Sequence, residues 1–137
     1  MERLRNQLSR LPAGLFSIIV FLTIMWLTLS SKPLGENPPP MFPGADKLAH
    51  AIMFGGFVVV MLLDWQRKHG WKRVGWIRAI ICGVISSFVG ILVEFAQANM
   101  GLGRSFEYDD MTADTVGAFL FAVSYLILQK EWLPDTK

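Results

Sequence analysis

The chain has 137 residues, 53% of them hydrophobic and 18% charged, with a formal net charge of +2 and a mean hydropathy of +0.41. That is the length of one domain, with too little polar surface for an ordinary soluble fold. The basic residues flank apolar runs and do not gather on an aromatic-studded face, which argues against a nucleic-acid partner, and the single cysteine, Cys82, excludes an intramolecular disulfide framework.

Four apolar runs stand out, Ala13–Ser30, Lys47–Leu63, Ile77–Ala98 and Met111–Leu128. Each approaches the ~20 residues that an α-helix needs to cross ~30 Å of hydrocarbon. The strands of a membrane barrel would alternate apolar and polar residues, and these runs do not. The expectation is an all-α integral membrane protein, a four-helix transmembrane bundle forming a single domain over 1–137, with helices at about 12–30, 46–64, 76–98 and 110–130.

Met1–Leu11 carries Arg3, Arg5 and Arg10 ahead of Pro12. Leu27-Thr28-Leu29-Ser30 is a poor cleavage site, so the first run is read as an uncleaved helix with Pro12 in its first turn. The proline-rich stretch Ser31–Ala45 excludes helix and favours an extended loop, after which Asp46 suits the start of the second helix as a cap or first-turn residue. The link Trp65–Trp76 holds Arg67, Lys68, Lys72 and Arg73 with no acidic residue, and Arg78 follows. By the positive-inside rule this link and both termini are cytoplasmic, and Trp65, Trp71, Trp76 and Trp132 fall at the same boundary.

This topology brings distant polar residues to one outer face. Asp46 and His50 are four apart on the second helix with Lys47 beside them, and Glu94 and Gln97 are three apart near the end of the third. The Glu94 face continues through Gly90, Ser86 or Ser87, and Gly83, small residues that allow close helix approach and so point into the bundle. Asp110, Asp114 and Gly117 give the fourth helix a matching inward face. A carboxylate such as Glu94 inside the membrane boundary is costly unless it is paired or protonated, and it is a functional candidate by default. Arg104, in the connecting stretch, is the natural counter-charge and can grip a carboxylate or phosphate with its planar fork.

Candidate binding residues are therefore Asp46, Lys47, His50, Glu94, Gln97, Arg104, Asp110 and Asp114, with His50, Glu94 and Asp110 as candidates for acid–base work. Glu107 and Asp109 read as solvated loop charges. One imidazole and several carboxylates could hold a divalent ion, but no local His-x-x-x-His or Cys-x-x-Cys spacing supports such a site, so no metal or other cofactor is expected and the binding of a divalent cation is left open. Ser105 lacks the context of a nucleophile. A bland alternative is that these groups only tie helix ends together.

In these residues the chain resembles the VanZ-like family of small bacterial membrane proteins. An Asp-Lys-x-x-His helix start matches Asp46, Lys47 and His50, and Glu-x-x-Gln matches Glu94 and Gln97. An Arg-Ser-Phe-led motif matches Arg104, Ser105, Phe106, Glu107, Asp110, Asp114 and Gly117, with Glu107 standing for Asp and Asp114 for Asn. The resemblance implies a multi-pass protein of the bacterial cytoplasmic membrane, associated with resistance to the lipid-tailed glycopeptide teicoplanin. The expected function is an outward-facing polar pocket that engages a lipid head group, a lipid-linked cell-wall precursor or a lipoglycopeptide. A membrane enzyme working on a lipid-linked envelope substrate by His/Glu chemistry is the alternative, and the oligomeric state is left open.

Overall fold

In a computed structural model, residues 2–31, 35, 40–101 and 106–133 are described. Among them run α1 (Glu2–Arg10), α2 (Leu15–Leu29), α3 (Ala45–Lys68), α4 (Trp76–Asn99) and α5 (Tyr108–Trp132), with no strand. The three long helices have 24, 24 and 25 residues and are apolar enough to cross a membrane. At ~1.5 Å per residue each exceeds the ~30 Å of hydrocarbon.

The expected first helix over 12–30 needs correction. α2 has only 15 residues, about 22 Å at ~1.5 Å per residue, which falls short of the hydrocarbon thickness. It passes as a span only together with α1, and the two are bent by 68° at the break between them. Three helices are thus long enough alone, and up to four spans result if the bent pair counts as one. Pro12 lies in that break, not in the first turn of the apolar helix, and Gly14 at φ 74 supplies the left-handed residue before α2. α3 also outruns the expected end at 64 and continues to Lys68, because Asp64 is buried against Arg67 one turn on. Most of the proline-rich loop lies outside the described residues.

α3 and α5 share the most extensive interface, and α4 packs on both. Small residues set the distance. A Cβ on Gly117 would stand 2.2 Å from the Ala51 carbonyl oxygen, and one on Gly55 would stand 2.6 Å from the Phe121 ring. On α4, Gly83 faces Phe119, Gly90 faces Asp114, and buried Ser86 donates to the Phe54 carbonyl at 2.8 Å. Without a hydrophobic drive between helices in lipid, such close backbone approach and interhelical hydrogen bonding hold a bundle together. Val58, Leu62, Ala118, Ala122 and Leu126 fill the seam, and Cys82 is buried beside them. The outer surface is apolar instead: Ile77, Ile80, Ile81, Val84, Phe88, Leu92 and Phe95 are exposed on α4, as are Leu120, Val123 and Ile127 on α5. An apolar exterior of that extent fits lipid as the solvent.

The end of the bundle that carries the α3–α4 link is closed by paired charges and amides, although the buried Trp71 indole Nε1 has no hydrogen-bond partner among the described residues. Arg67, 2% exposed, donates from Nε and Nη2 to Asp64 Oδ1 at 3.1 and 2.6 Å. It also reaches the Leu8, Leu11 and Pro12 carbonyls at 2.7, 2.8 and 2.7 Å. Asp64 Oδ2 accepts from the Ser17 backbone N–H and hydroxyl, both at 2.8 Å. The α1–α2 elbow is thereby locked to α3. Beside it, Gln129 accepts from the Val74 N–H at 2.8 Å and donates to the Val74 carbonyl at 2.9 Å, and Gln66 donates to Gln129 at 3.0 Å. Arg5 and Arg78 lie over the rings of Trp71 and Trp65 at 5.5 and 3.8 Å.

Gly117→Ala is expected to lower the unfolding temperature of the purified protein in detergent, because rigid backbone blocks the new methyl. Gly56→Ala, where a Cβ meets nothing within 4 Å, should leave it unchanged or raise it slightly.

Candidate functional site

The opposite end of the bundle gathers the starts of α3 and α5 and the end of α4. Gly44, at φ 84, precedes α3 and puts Asp46 in its first turn, and Glu107 holds the position before α5, without a side-chain cap, with Asp110 in the first turn. Acidic groups there suit the positive helix ends. Because α3 and α5 run parallel in close contact at Ala51 and Gly117, His50 and Asp114 meet across the seam.

His50 Nδ1 lies 2.9 Å from Asp114 Oδ1, and its Nε2 lies 3.9 Å from Asp110 Oδ2. Asp114 is completely buried, and its other oxygen packs against Gly90 of α4, where a Cβ would stand 2.5 Å away. Only glycine leaves room for it. Asp110 is 8% exposed, and its Oδ1 lies 3.4 Å from Lys47 Nζ. That ammonium is also 3.1 Å from Asp46 and 3.6 Å from Glu107. Glu94, 1% exposed, accepts the Glu107 backbone N–H on Oε2 at 3.2 Å. Glu94 Oε1 and Asp114 Oδ2 are buried with no hydrogen-bond partner among the described residues. Buried carboxylate oxygens left open are rare and costly, and they ask for a proton, a water or a ligand.

Of the sequence-derived set, Asp46, Lys47, His50, Glu94, Asp110 and Asp114 come together here. Gln97 does not join them through its amide nitrogen. It donates to the Thr28 carbonyl at 2.8 Å and ties α4 to α2. Arg104 and Ser105 lie outside the described residues. Glu107, read from sequence as a solvated charge, is exposed but belongs to the site through its backbone N–H and its approach to Lys47. A helix-capping position directly ahead of Asp110 was the available signal.

The family model VanZ/LLP1 matches residues 3–129. The chain belongs to this family. It is thus a multi-pass membrane protein of the VanZ family, and the Asp46–His50, Glu94 and Asp110–Asp114 motifs sit at one end of its helices. No curated protein and no solved structure matches the chain.

If His50 and Asp114 hold α3 to α5, a double-mutant cycle on His50→Ala and Asp114→Ala should give a coupling of at least ~0.5 kcal/mol in reversible unfolding, as buried polar partners in contact do. The same cycle on the surface pair Asp46 and Lys47 should give no measurable coupling.

Proposed function

We propose that the protein is a four-span protein of the bacterial cytoplasmic membrane whose His50 end faces outward and engages the polar head of a lipid or lipid-linked envelope molecule. The orientation follows from charge. Arg3, Arg5, Arg10, Arg67, Lys68, Lys72, Arg73 and Arg78 cluster toward the other end, which the positive-inside rule assigns to the cytoplasm together with both termini. The fourth span is the α1–α2 pair, with basic α1 at its cytoplasmic end.

One observation carries this reading. Ionisable side chains from three helices converge at one end of an otherwise apolar bundle, and two of their buried carboxylates keep an oxygen without a partner. Lys47 would meet an anionic group of the head, with Arg104 as its second contact in this proposal, while Glu94, His50 and Asp110 accept or donate hydrogen bonds. Acyl chains would lie along the exposed apolar faces of α4 and α5. The family's association with glycopeptide resistance makes a lipid-linked wall precursor, or the lipid tail of the drug, the favoured class of partner.

The His50–Asp114 contact favours an enzymatic second reading, since a carboxylate that fixes an imidazole ring also readies its other nitrogen for proton transfer. Single variants His50→Ala, Glu94→Gln and Arg104→Lys, expressed in a teicoplanin-exposed host, test the site. The expected result is folded protein, judged by unfolding temperature in detergent, with lost protection. Loss of fold and protection together would refute a site in favour of mere helix pairing. A changed lipid product in cells bearing the wild type, absent with His50→Ala, would decide for the enzyme.

A further inference from the structure

The three residues His50, Glu94 and Asp110 come from three different helices, and each can offer one ligand atom within 4.8 Å of the other two. Two ligand atoms on a common cation at ~2.0–2.4 Å lie up to about 4–4.8 Å apart when they are opposite each other. The spacing therefore needs little movement to close on an ion.

The outer contacts are arranged as they are around bound metals. Each member is held by one atom and leaves another open. His50 uses Nδ1 on Asp114, which leaves Nε2 toward Asp110 Oδ2 at 3.9 Å. Asp110 uses Oδ1 on Lys47, which leaves Oδ2. Glu94 uses Oε2 on the Glu107 backbone, which leaves Oε1, buried and without a partner among the described residues. A histidine that donates its far N–H to a carboxylate has the tautomer and basicity of a metal ligand. A second acidic group, Asp46, Glu107 and Asp110, also falls within ligand spacing, but the Lys47 ammonium already lies 3.1–3.6 Å from all three. In the first group that ammonium reaches Asp110 alone, on Oδ1.

We infer that His50 Nε2, Glu94 and Asp110 Oδ2 form a divalent transition-metal site with Asp114 as its orienting partner. One imidazole and two carboxylates match zinc or manganese, and two carboxylate charges cancel the charge of the ion, which suits a site at the membrane boundary. Local sequence spacing gave no sign of it because no two of the three ligands share a helix. The site does not depend on the lipid reading, and it can be tested without lipid.

The full chain, purified in a nonionic detergent without added lipid and stripped with chelator, is titrated with ZnCl2 by calorimetry and with MnCl2 by electron paramagnetic resonance. Saturable binding of one equivalent of either ion is expected, with electron-spin-echo modulation from a single imidazole nitrogen on manganese, or one nitrogen scatterer around zinc by X-ray absorption. Glu94→Gln and His50→Ala should weaken binding at least 100-fold and Asp114→Asn about 10–100-fold, while exposed Asp109→Asn leaves it unchanged. Absence of one-to-one binding of both ions by the wild type overturns the site. So does a bound ion without nitrogen coordination, a readout on wild-type protein that holds even where a variant fails to fold. Binding that persists within threefold in both Glu94→Gln and His50→Ala overturns it equally.

Discussion

Everything polar in this bundle answers to one constraint: inside a membrane no water is at hand to satisfy a hydrogen-bonding group, so each must find its partner in the protein. The contact between His50 and Asp114 is where that constraint and the packing meet. Gly117 lets α5 approach α3 at Ala51, Gly90 leaves room on α4 for the Asp114 carboxylate, and only then can the imidazole of α3 reach it at 2.9 Å. Small residues and buried charge are parts of one design. The glycines make the approach, and the polar pair fixes the register of the helices.

The two ends of the bundle solve the same problem differently. At the Arg67 end, both oxygens of Asp64 and the whole guanidinium fork of Arg67 are engaged, and the Gln66–Gln129–Val74 set closes on itself. The buried group left without a partner there is the neutral Trp71 indole N–H, not a carboxylate. At the His50 end, Glu94 Oε1 and Asp114 Oδ2 are as deeply buried yet open. The buried oxygens left open at the His50 end are those of carboxylates, and the Asp46–His50, Glu94 and Asp110–Asp114 groups gather there.

Much of this was legible in the sequence. Long apolar runs fixed α3, α4 and α5, because a span of that length has few alternatives. Four-residue spacing put Asp46 with His50 and Asp110 with Asp114, and the Gly83–Ser86–Gly90 series correctly gave the buried face of α4. The elbow after α1 was missed, since three arginines before a proline look like a simple flank when the contacts that order them lie some 55–59 residues away at Arg67. Asp64 was taken for a helix end, although an acid inside an apolar run with Arg67 three residues on is itself the mark of an internal ion pair. Gln97 was grouped with Glu94 by spacing, but its amide turns to Thr28 on α2, a choice that depends on which helix lies beside that face. Arg104 lies outside the described residues.

The central claim is that Asp114 fixes the His50 ring and leaves Nε2 open toward Asp110 and Glu94. Nitrogen-15 magnetic resonance on labelled protein in lipid bilayers, with His69→Gln to remove the other histidine, reads this directly. The expected spectrum for metal-free protein at neutral pH has a protonated Nδ1 and an unprotonated Nε2, with the Nδ1 signal shifting in Asp114→Asn. A protonated Nε2 beside a bare Nδ1, or a ring whose signals do not respond to Asp114→Asn, would contradict it.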